Sequence, residues 1–310
     1  MIDLNYKDIN MSWRTATIPK KSGGKRKLCI PNDDLKMIQR QILEYLYTIP
    51  SIKISKCAHG FVPYRNTSTG VIRHDKNYSV IICMDIKDFF DNFPLSAVED
   101  ALVGSGIYPV EAKNILKLCS YNNGLPQGGP CSPYLTNIGM FKVDCIIKAF
   151  ATKYGFKYSR YADDITLSST KEYERSYSFK WVFKAINKIL NDNLNLYLKK
   201  SKSHIIWRNS RVSPRVTGIV IRGDSNGYNA PKKFRYNTRA AVYNLATSIM
   251  KKGNKPDTDD FIEWRKILGR IQYMDKLRSY SEEGFNTADP KIQIKYFKYL
   301  TEVFNHKNLI

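Results

Sequence analysis

The sequence predicts an α+β protein with an antiparallel sheet in the middle of the chain. Short apolar runs typical of strands, such as residues 80–84, lie among amphipathic stretches with helical spacing. One pair of such runs, residues 157–169, predicts a hairpin, whose two strands must be antiparallel. A hydrophobic content of 43% and a charged content of 25% are those of a globular protein with a substantial core.

The first elements are a hairpin and a helix. Residues 13–31 predict a strand, a basic turn at residues 20–27 and a second strand. Asn32 is the predicted N-cap of a helix that ends before Pro50. Its apolar side chains recur at helical spacing: Leu35, Ile38, Ile42 and Leu46.

The middle of the chain begins with residues 55–74, which predict loops with short elements, and continues with a strand that ends at Asp85. A helix is expected at residues 111–119. Ser132 as N-cap and Pro133 at the first helical position predict a helix that continues to about Tyr154. The hairpin of residues 157–169 follows, with Asp163 and Asp164 at its turn.

The remainder predicts a long helix over residues 173–190 and two strands, at residues 203–208 and 216–222. From Asn229 onward the pattern is mostly helical, with a break at residues 253–256.

The charge of the chain is strongly positive, with 50 Lys and Arg against 28 Asp and Glu, a formal +22. Residues 199–255 contain fourteen basic side chains and a single acidic one, Asp224. This excess predicts a polyanionic partner, most often a nucleic acid. A solvated basic face is the alternative, but it does not explain the aromatic residues interleaved with these charges, Trp207, Tyr228, Phe234, Tyr236 and Tyr243.

The six cysteines include no Cys-x-x-Cys pair, and most lie within apolar runs, so we expect buried thiols in a reducing compartment and no zinc site. No signal peptide and no apolar stretch long enough to cross a bilayer is present in the sequence. These features predict a cytoplasmic protein without a membrane partner.

Three carboxylates form the most informative pattern. Asp85 closes an apolar strand, and Asp163 and Asp164 lie in the tetrapeptide Tyr-Ala-Asp-Asp at a predicted strand turn. Each alone is explained as a turn residue that binds local amides. Together they are the ligands that two Mg²⁺ ions need, about 3.5–4 Å apart, to promote phosphoryl transfer.

Five motifs in order carry a resemblance to a known family. They are the basic hairpin, Asp-Ile-Lys-Asp-Phe-Phe from Asp85, Leu-Pro-Gln-Gly from Leu125 with Ser132-Pro133, the Tyr-Ala-Asp-Asp element, and Val-Thr-Gly from Val216. This set, over about residues 14–222, resembles the reverse transcriptases, and among them the bacterial retron type. The retron element Asn-Ala-x-x-His is only partly present, with His74 kept, and a structural role is expected for His74.

The resemblance implies a right-hand polymerase. The fingers would be residues 1–79 with part of 96–124, the palm residues 80–222, and a basic helical thumb residues 223–310. It implies catalysis by Asp85, Asp163 and Asp164, which together with Ile86 would hold two Mg²⁺ ions. Nucleotide contacts are expected from Lys21 (or Lys20), Arg26, Phe90 and Gln127, and nucleic-acid contacts from Lys202, Thr217, Gly218, Lys232, Lys233 and Arg235.

The implied function is reverse transcription of a structured non-coding RNA from the same locus, using deoxynucleoside triphosphates. Priming from an RNA 2′-OH would give a branched RNA–DNA product, in defence against phages with a separate effector protein. Three alternatives remain: another defence-associated reverse transcriptase, a group II intron-type enzyme, for which the 88 residues after Arg222 are few, and a non-catalytic RNA-binding protein. The last predicts loss of a metal carboxylate, whereas all three are present.

Overall fold

The computed structural model describes residues 12–19, 23–174, 176, 178–210, 214–222, 227–280 and 294–305. The chain forms two compact units, Met1–Trp207 and Arg208–Ile310. This division falls earlier in the chain than the predicted boundary between residues 222 and 223. A boundary after residue 222 would divide a small sheet of the second unit, because strands of this sheet lie both before and after that residue.

The N-terminal hairpin consists of β1 (Trp13–Pro19) and β2 (Lys25–Pro31), which pair antiparallel from Trp13↔Pro31 to Pro19↔Lys25. Helix α1 (Asp33–Thr48) follows, and its predicted N-cap is confirmed because the Asn32 side chain accepts a hydrogen bond from Leu35 N at 3.4 Å. The four apolar residues predicted for this helix are all buried. A short helix, α2 (Thr67–Val71), lies in the segment predicted as loops.

The central sheet has four strands, β3 (Val80–Asp85), β4 (Lys157–Tyr161), β5 (Asp164–Ser169) and β6 (His204–Trp207). Their order is β4-β5-β3-β6, and every neighbouring pair is antiparallel. The predicted α+β class, the antiparallel sheet and the hairpin of residues 157–169 are therefore confirmed. Strand β3 lies inside the sheet and is almost wholly buried, which explains its continuous apolar run.

Among its described residues, the first unit has five further α-helices: α3 (Leu95–Val103), α4 (Pro109–Cys119), α5 (Ser132–Gly139), α6 (Phe141–Lys153) and α7 (Lys180–Leu194). Their apolar faces share one core with α1 and with the sheet. This core fixes the sheet rigidly beneath the ends of β3 and β5, where the predicted carboxylates lie.

The helix predicted from Ser132 to about Tyr154 is two helices in the structure, since α5 ends at Gly139 and α6 begins at Phe141. Gly139 lies against the Phe93 ring, where a Cβ would come within 2.6 Å of Cε1. The predicted N-cap is also wrong, because Ser132 is already helical and its Oγ makes no hydrogen bond with a described residue. Cys131, one residue earlier, already has helical φ and ψ.

The helix predicted at residues 173–190 begins later, at Lys180, and extends to Leu194. Tyr173 lies outside the helix and packs edge-on against Phe179, with the ring centroids 5.1 Å apart. Asn195, at φ +53°, ends α7 in the left-handed conformation that Asn tolerates well.

The second unit contains a small antiparallel sheet, β7 (Arg215–Val216), β8 (Ile219–Ile221) and β9 (Tyr228–Asn229), followed by α8 (Lys232–Lys251), α9 (Thr258–Ser279) and α10 (Ile294–Asn305). The strand predicted at residues 216–222 is thus interrupted. Thr217 and Gly218, at φ +48° and +86°, form the turn between β7 and β8. The predicted break at residues 253–256 is confirmed.

The cysteines form no disulfide within the described chain, and four of the six are buried as predicted, whereas Cys145 is exposed. Among the described residues, no helix is both long and apolar enough to span a membrane.

Candidate active site

The three predicted carboxylates lie at one end of the central sheet. Asp85 is the last residue of β3 and pairs directly with Asp164, the first residue of β5. Asp163 precedes it in the turn after β4, where Ala162 has a φ of +53°. The Asp163 carbonyl accepts a hydrogen bond from Ile86 N at 2.9 Å, which ties the turn to the end of β3. The fold therefore brings Asp85, Ile86, Asp163 and Asp164 together.

Lys202 is brought to the same place by the segment before β6. Lys199 N donates to the Asp85 carbonyl at 2.7 Å, and a 3₁₀ turn at Lys200–Lys202 follows. Lys202 Nζ lies 2.6 Å from Asp85 Oδ2. Lys202, one of the residues predicted to contact nucleic acid, therefore joins the carboxylate cluster.

Each negative charge in this cluster opposes the ionisation of the neighbouring carboxyl groups and so raises their pKa values. Burial and the charges of Asp163 and Asp85 raise the pKa of Asp164 to about 6. Burial, opposed by a backbone hydrogen bond, raises the pKa of Asp163, and Asp85 adds to the rise. The hydrogen bond with Asp85 raises the pKa of the Lys202 ammonium. Clustered carboxylates of this kind favour a bound cation.

The donor chemistry of this cluster fits Mg²⁺, because carboxylate oxygens are the hard ligands that this ion prefers. Within the described part of the chain, no three His, Cys, Asp or Glu side chains already converge as a metal-binding group. The cation in contact with Asp85 is the Lys202 ammonium. A metal ion that used Asp85 Oδ2 would therefore compete with Lys202 for that oxygen.

Two of the residues predicted to contact a nucleotide are Arg26, in the N-terminal hairpin, and Gln127, in the loop before α5. Cys29 N, in β2, donates to the Gln127 carbonyl at 2.9 Å. Arg26, near the start of β2, is exposed, and its charge offsets part of the rise in the pKa of Asp163. Gln127 is partly exposed. Lys20 and Lys21 lie outside the described residues.

Phe90 is half-buried and packs edge-on against Phe89, with the centroids 5.3 Å apart. Its carbonyl accepts a hydrogen bond from Leu125 N at 3.1 Å, which joins the segment after β3 to the Leu-Pro-Gln-Gly loop. Two of the motifs found in sequence are thus directly connected.

His74 has the structural role that was expected. The ring is fully buried, with Nδ1 2.7 Å from Ser168 Oγ and Nε2 2.7 Å from Ser159 Oγ. Burial, followed by the charge of His59, lowers the pKa of His74 to about 3. The neutral ring therefore joins β4 to β5 on one side of the sheet.

The remaining predicted residues belong to the second unit. Thr217 and Gly218 form the turn of its small sheet. Lys232 and Lys233 are exposed on the first turn of α8, and Arg235 is partly exposed. Lys232 and Arg239 both lie over the Tyr236 ring, at 5.6 Å and 5.3 Å from its centroid. Helix α8 contains no acidic residue, and most of its basic side chains lie in its first turns.

Arg160 was not singled out in the sequence, although its buried side chain contacts the turn that carries Asp163. The signal available in the sequence was a charged residue within a predicted strand, directly before the Tyr-Ala-Asp-Asp element. Such a residue is rarely buried unless it is paired.

An antiparallel sheet with three carboxylates at one end offers the oxygen ligands that a metal-dependent nucleotidyl-transfer site needs. The family model of reverse transcriptase (RNA-dependent DNA polymerase) matches residues 18–236. Because this match covers more than half of the 310 residues, the chain belongs to the reverse transcriptase family.

Several relatives among curated proteins are retron reverse transcriptases, which confirms the predicted resemblance. Retron Mx162 reverse transcriptase of Myxococcus xanthus is 28% identical over 290 residues, 85% of this chain and 57% of the relative. Retron Ec86 reverse transcriptase of Escherichia coli is 30% identical over 224 residues, 71% of this chain and 66% of the relative. The chain thus spans less than two thirds of their length. Among solved structures, telomerase from Candida albicans in complex with a fragment of telomeric RNA gives a TM-score of 0.49, with 13% identity over 95% of this chain and 60% of that chain.

Proposed function

We propose that this protein is an RNA-directed DNA polymerase of the retron type. The observation that carries the proposal is the pairing of Asp85 with Asp164 across two strands, with Asp163 in the adjoining turn, in a member of the reverse transcriptase family. The right-hand architecture is part of the proposal, with fingers at residues 1–79 and part of 96–124, palm at 80–222 and thumb at 223–310. The central antiparallel sheet and the basic helix α8 of the second unit support it.

The proposed metal ligands are Asp85, Asp163 and Asp164, with Ile86 completing the set. Two Mg²⁺ ions bound there would activate the attacking hydroxyl and neutralise the triphosphate charge. The chain's own contribution is to hold the carboxylates at fixed positions on rigid strand ends. Lys202 offsets the charge of Asp85 and would release Oδ2 when a metal ion takes that oxygen.

The incoming deoxynucleoside triphosphate would lie between the N-terminal hairpin and the carboxylates. Arg26, with Lys21, would donate to the triphosphate, since charge-assisted hydrogen bonds to phosphate are strong. Phe90 would lie under the sugar and exclude a ribose 2′-OH. Gln127 would lie against the nucleotide, in a loop that is bonded to β2.

The template proposed is a structured non-coding RNA from the same locus, copied into single-stranded DNA. The basic and aromatic face of α8 suits an RNA–DNA duplex, because cations neutralise phosphates and aromatic rings pack on sugars or bases. Thr217 and Gly218 would position the primer end. Priming from an RNA 2′-OH, a cytoplasmic role in phage defence and a separate effector protein complete the proposal by analogy with the retron relatives.

The central test replaces two metal ligands. Asp163→Ala combined with Asp164→Ala should abolish Mg²⁺-dependent DNA synthesis on an RNA template while RNA binding stays largely intact. Synthesis is measured by primer extension and binding by filter retention. A variant with Asp192→Ala, an exposed carboxylate on α7, is the matched control and should polymerise normally. Near-normal synthesis by the double variant would refute the two-metal assignment.

The retron-type product is tested in cells. The gene is expressed with its flanking DNA, total nucleic acid is treated with RNase, and a short single-stranded DNA is sought that the double variant lacks. A band that shifts after debranching supports 2′ priming. DNA without an RNA branch would keep the polymerase but place it in another defence class.

A further inference from the structure

A fully buried cation lies in the strand that leads into the catalytic turn. Arg160, near the end of β4, is 1% exposed. Its Nε donates to Asp144 Oδ1 and its Nη2 donates to Asp144 Oδ2, both at 2.8 Å. Asp144, on α6, is completely buried and also accepts a hydrogen bond from the Tyr158 hydroxyl at 2.6 Å. The ion pair is therefore shielded from water.

The other donors of Arg160 point toward the catalytic turn. Nη1 donates to the Ala162 carbonyl at 3.0 Å. Ala162 has a φ of +53°, an unfavourable conformation for a residue with a side chain, and it directly precedes Asp163. The guanidinium thus holds the peptide group that determines the direction of the next residue.

A second contact joins the same guanidinium to the segment on the other side of the turn. Nη2 donates to Asn137 Oδ1 at 3.0 Å, and Asn137 Nδ2 donates to the Gly60 carbonyl at 2.8 Å. Gly60 lies so close to the turn that a Cβ there would come within 2.9 Å of Ala162 N. His59 N donates to the Arg160 carbonyl at 2.8 Å, so this segment also pairs with β4.

Stability alone is a weak reason for this arrangement, because an apolar pair of similar volume often stabilises a core as well as a buried ion pair does. A planar guanidinium is distinctive in having five donors fixed in one plane. Here they connect two helices, α6 through Asp144 and α5 through Asn137, with the catalytic turn. These contacts tie the position of the turn to the buried core.

We propose that Arg160, held by Asp144 and Asn137, is a positioning residue that fixes the Ala162 carbonyl and thereby sets the direction of the Asp163 and Asp164 carboxylates for Mg²⁺. The inference rests on the proposed function of the carboxylates. It predicts that a change at Arg160 acts on metal affinity and turnover, whereas the binding of template and primer is unaffected.

The test compares Arg160→Lys with Tyr158→Phe. Lysine keeps the charge for Asp144 but lacks the fork that reaches Asn137 and Ala162 together. Tyr158→Phe removes a hydrogen bond to the same Asp144 and leaves the contact with Ala162 in place. For each protein we would measure the Tm at increasing Mg²⁺, kcat and KM for primer extension, and the Kd for a template–primer duplex.

For Arg160→Lys, we expect the Mg²⁺ concentration that gives half of the Tm shift to rise about 10- to 100-fold. The kcat should fall by a similar factor, and the Kd for the template–primer duplex should not change. Tyr158→Phe should lower the Tm but keep the Mg²⁺ dependence of the wild type. If both variants lower the Tm and neither changes in Mg²⁺ dependence or kcat, the role of Arg160 is structural and the proposal is wrong.

If Arg160→Lys does not fold, Arg160→Met combined with Asp144→Leu removes both charges together and gives the same readouts. Failure of the proposed function has a different signature, since the wild type itself would then show neither a Mg²⁺-dependent Tm shift nor synthesis. The other case is a wild type that shows the Mg²⁺-dependent Tm shift and synthesises DNA, while the variants have the same Mg²⁺ dependence as the wild type. That result would overturn the role of Arg160 and leave the proposed function standing.

Discussion

Asp164 faces Asp85 across two antiparallel strands, and each negative charge opposes ionisation of its neighbours. The pKa of Asp164 is raised to about 6, and that of Asp163 is also raised. Asp164 is exposed to solvent, which screens part of this repulsion. A carboxylate with a raised pKa destabilises the folded protein at neutral pH and is stabilised by a metal ion, as a metal-binding site requires.

The pH dependence of stability follows from this shift. Because the folded pKa of Asp164, about 6, lies above its usual 3.8, the folded state binds the proton more tightly, and stability falls as pH rises from about 4 to above 6. Asp164→Asn removes this penalty. In EDTA, it should raise Tm by about 1–3 °C at pH 8 and by less at pH 5, as measured by thermal unfolding.

The control for this prediction is Asp192→Asn, at an exposed carboxylate that pairs with Lys188 on α7. It should show no gain that depends on pH in this range. Equal Tm differences for Asp164→Asn at pH 5 and pH 8 would contradict a raised pKa.

Activity should respond in the opposite direction. Protonation of Asp164 removes a metal ligand, so primer extension should decline as pH falls through about 6, and added Mg²⁺ should move the midpoint lower because metal competes with the proton. A pH–rate profile at two Mg²⁺ concentrations checks this. A midpoint that ignores Mg²⁺ would mean that another group controls the acid limb.

At the scale of elements, the hairpin β1–β2 is joined to the loop before α5. The Cys29–Gln127 hydrogen bond is one link, and close packing at Gly128 is the other. Gly128 has a φ of +129°, and a Cβ there would come within 2.7 Å of the Cys29 carbonyl oxygen. Only glycine permits both the conformation and the approach.

Gly128→Ala should therefore push the loop away from β2 and misplace Gln127. We expect destabilisation of about 1–3 kcal/mol and a higher KM for deoxynucleotides, as measured by denaturant unfolding and single-nucleotide extension. Gly106→Ala is the matched control, since Gly106 also has a positive φ, +90°, but no atom within 4 Å of a Cβ. If both variants changed KM alike, backbone strain rather than the contact with β2 would be the cause.

At the scale of the whole molecule, the net charge is +12 over residues 1–207 and +10 over residues 208–310. Positive charge is therefore denser in the second, shorter unit, whereas Asp85, Asp163 and Asp164 lie in the first. A long basic helix without acidic residues gives a field that attracts phosphate regardless of sequence. Binding that depends on this field must weaken with salt, because each neutralised phosphate releases a counterion.

Lys232→Glu with Lys233→Glu should weaken RNA binding and reduce the slope of log K against log salt by about 1 for each phosphate that is no longer neutralised. Lys180→Glu with Lys184→Glu, two exposed lysines on α7, changes the net charge equally and should leave the slope nearly unchanged. Binding is measured at several salt concentrations. Equal slopes for the two double variants would show that the face of α8 is merely solvated.

The sequence by itself determined those helices and strands whose signals come from residues that are neighbours in the chain. The alternation of β4 and β5, the apolar run of β3 and the Asn32 cap all predicted their elements correctly, because side-chain period and capping depend on neighbours in the chain. The same locality explains the errors. Gly139, where α5 ends, lies against Phe93, and Tyr173, before α7, packs on Phe179. Local periodicity does not register such tertiary contacts.

The tertiary structure alone decided how the three carboxylates meet. Strand register places Asp85 opposite Asp164. A segment far along the chain brings Lys202 to Oδ2 of Asp85. The role of Arg160 also depends on α6 and on the residues near Gly60, which are distant in sequence. Residue types and their order indicate which chemistry is available, whereas the distances between charges, and hence their pKa values and their demand for a cation, arise only when the strands pair.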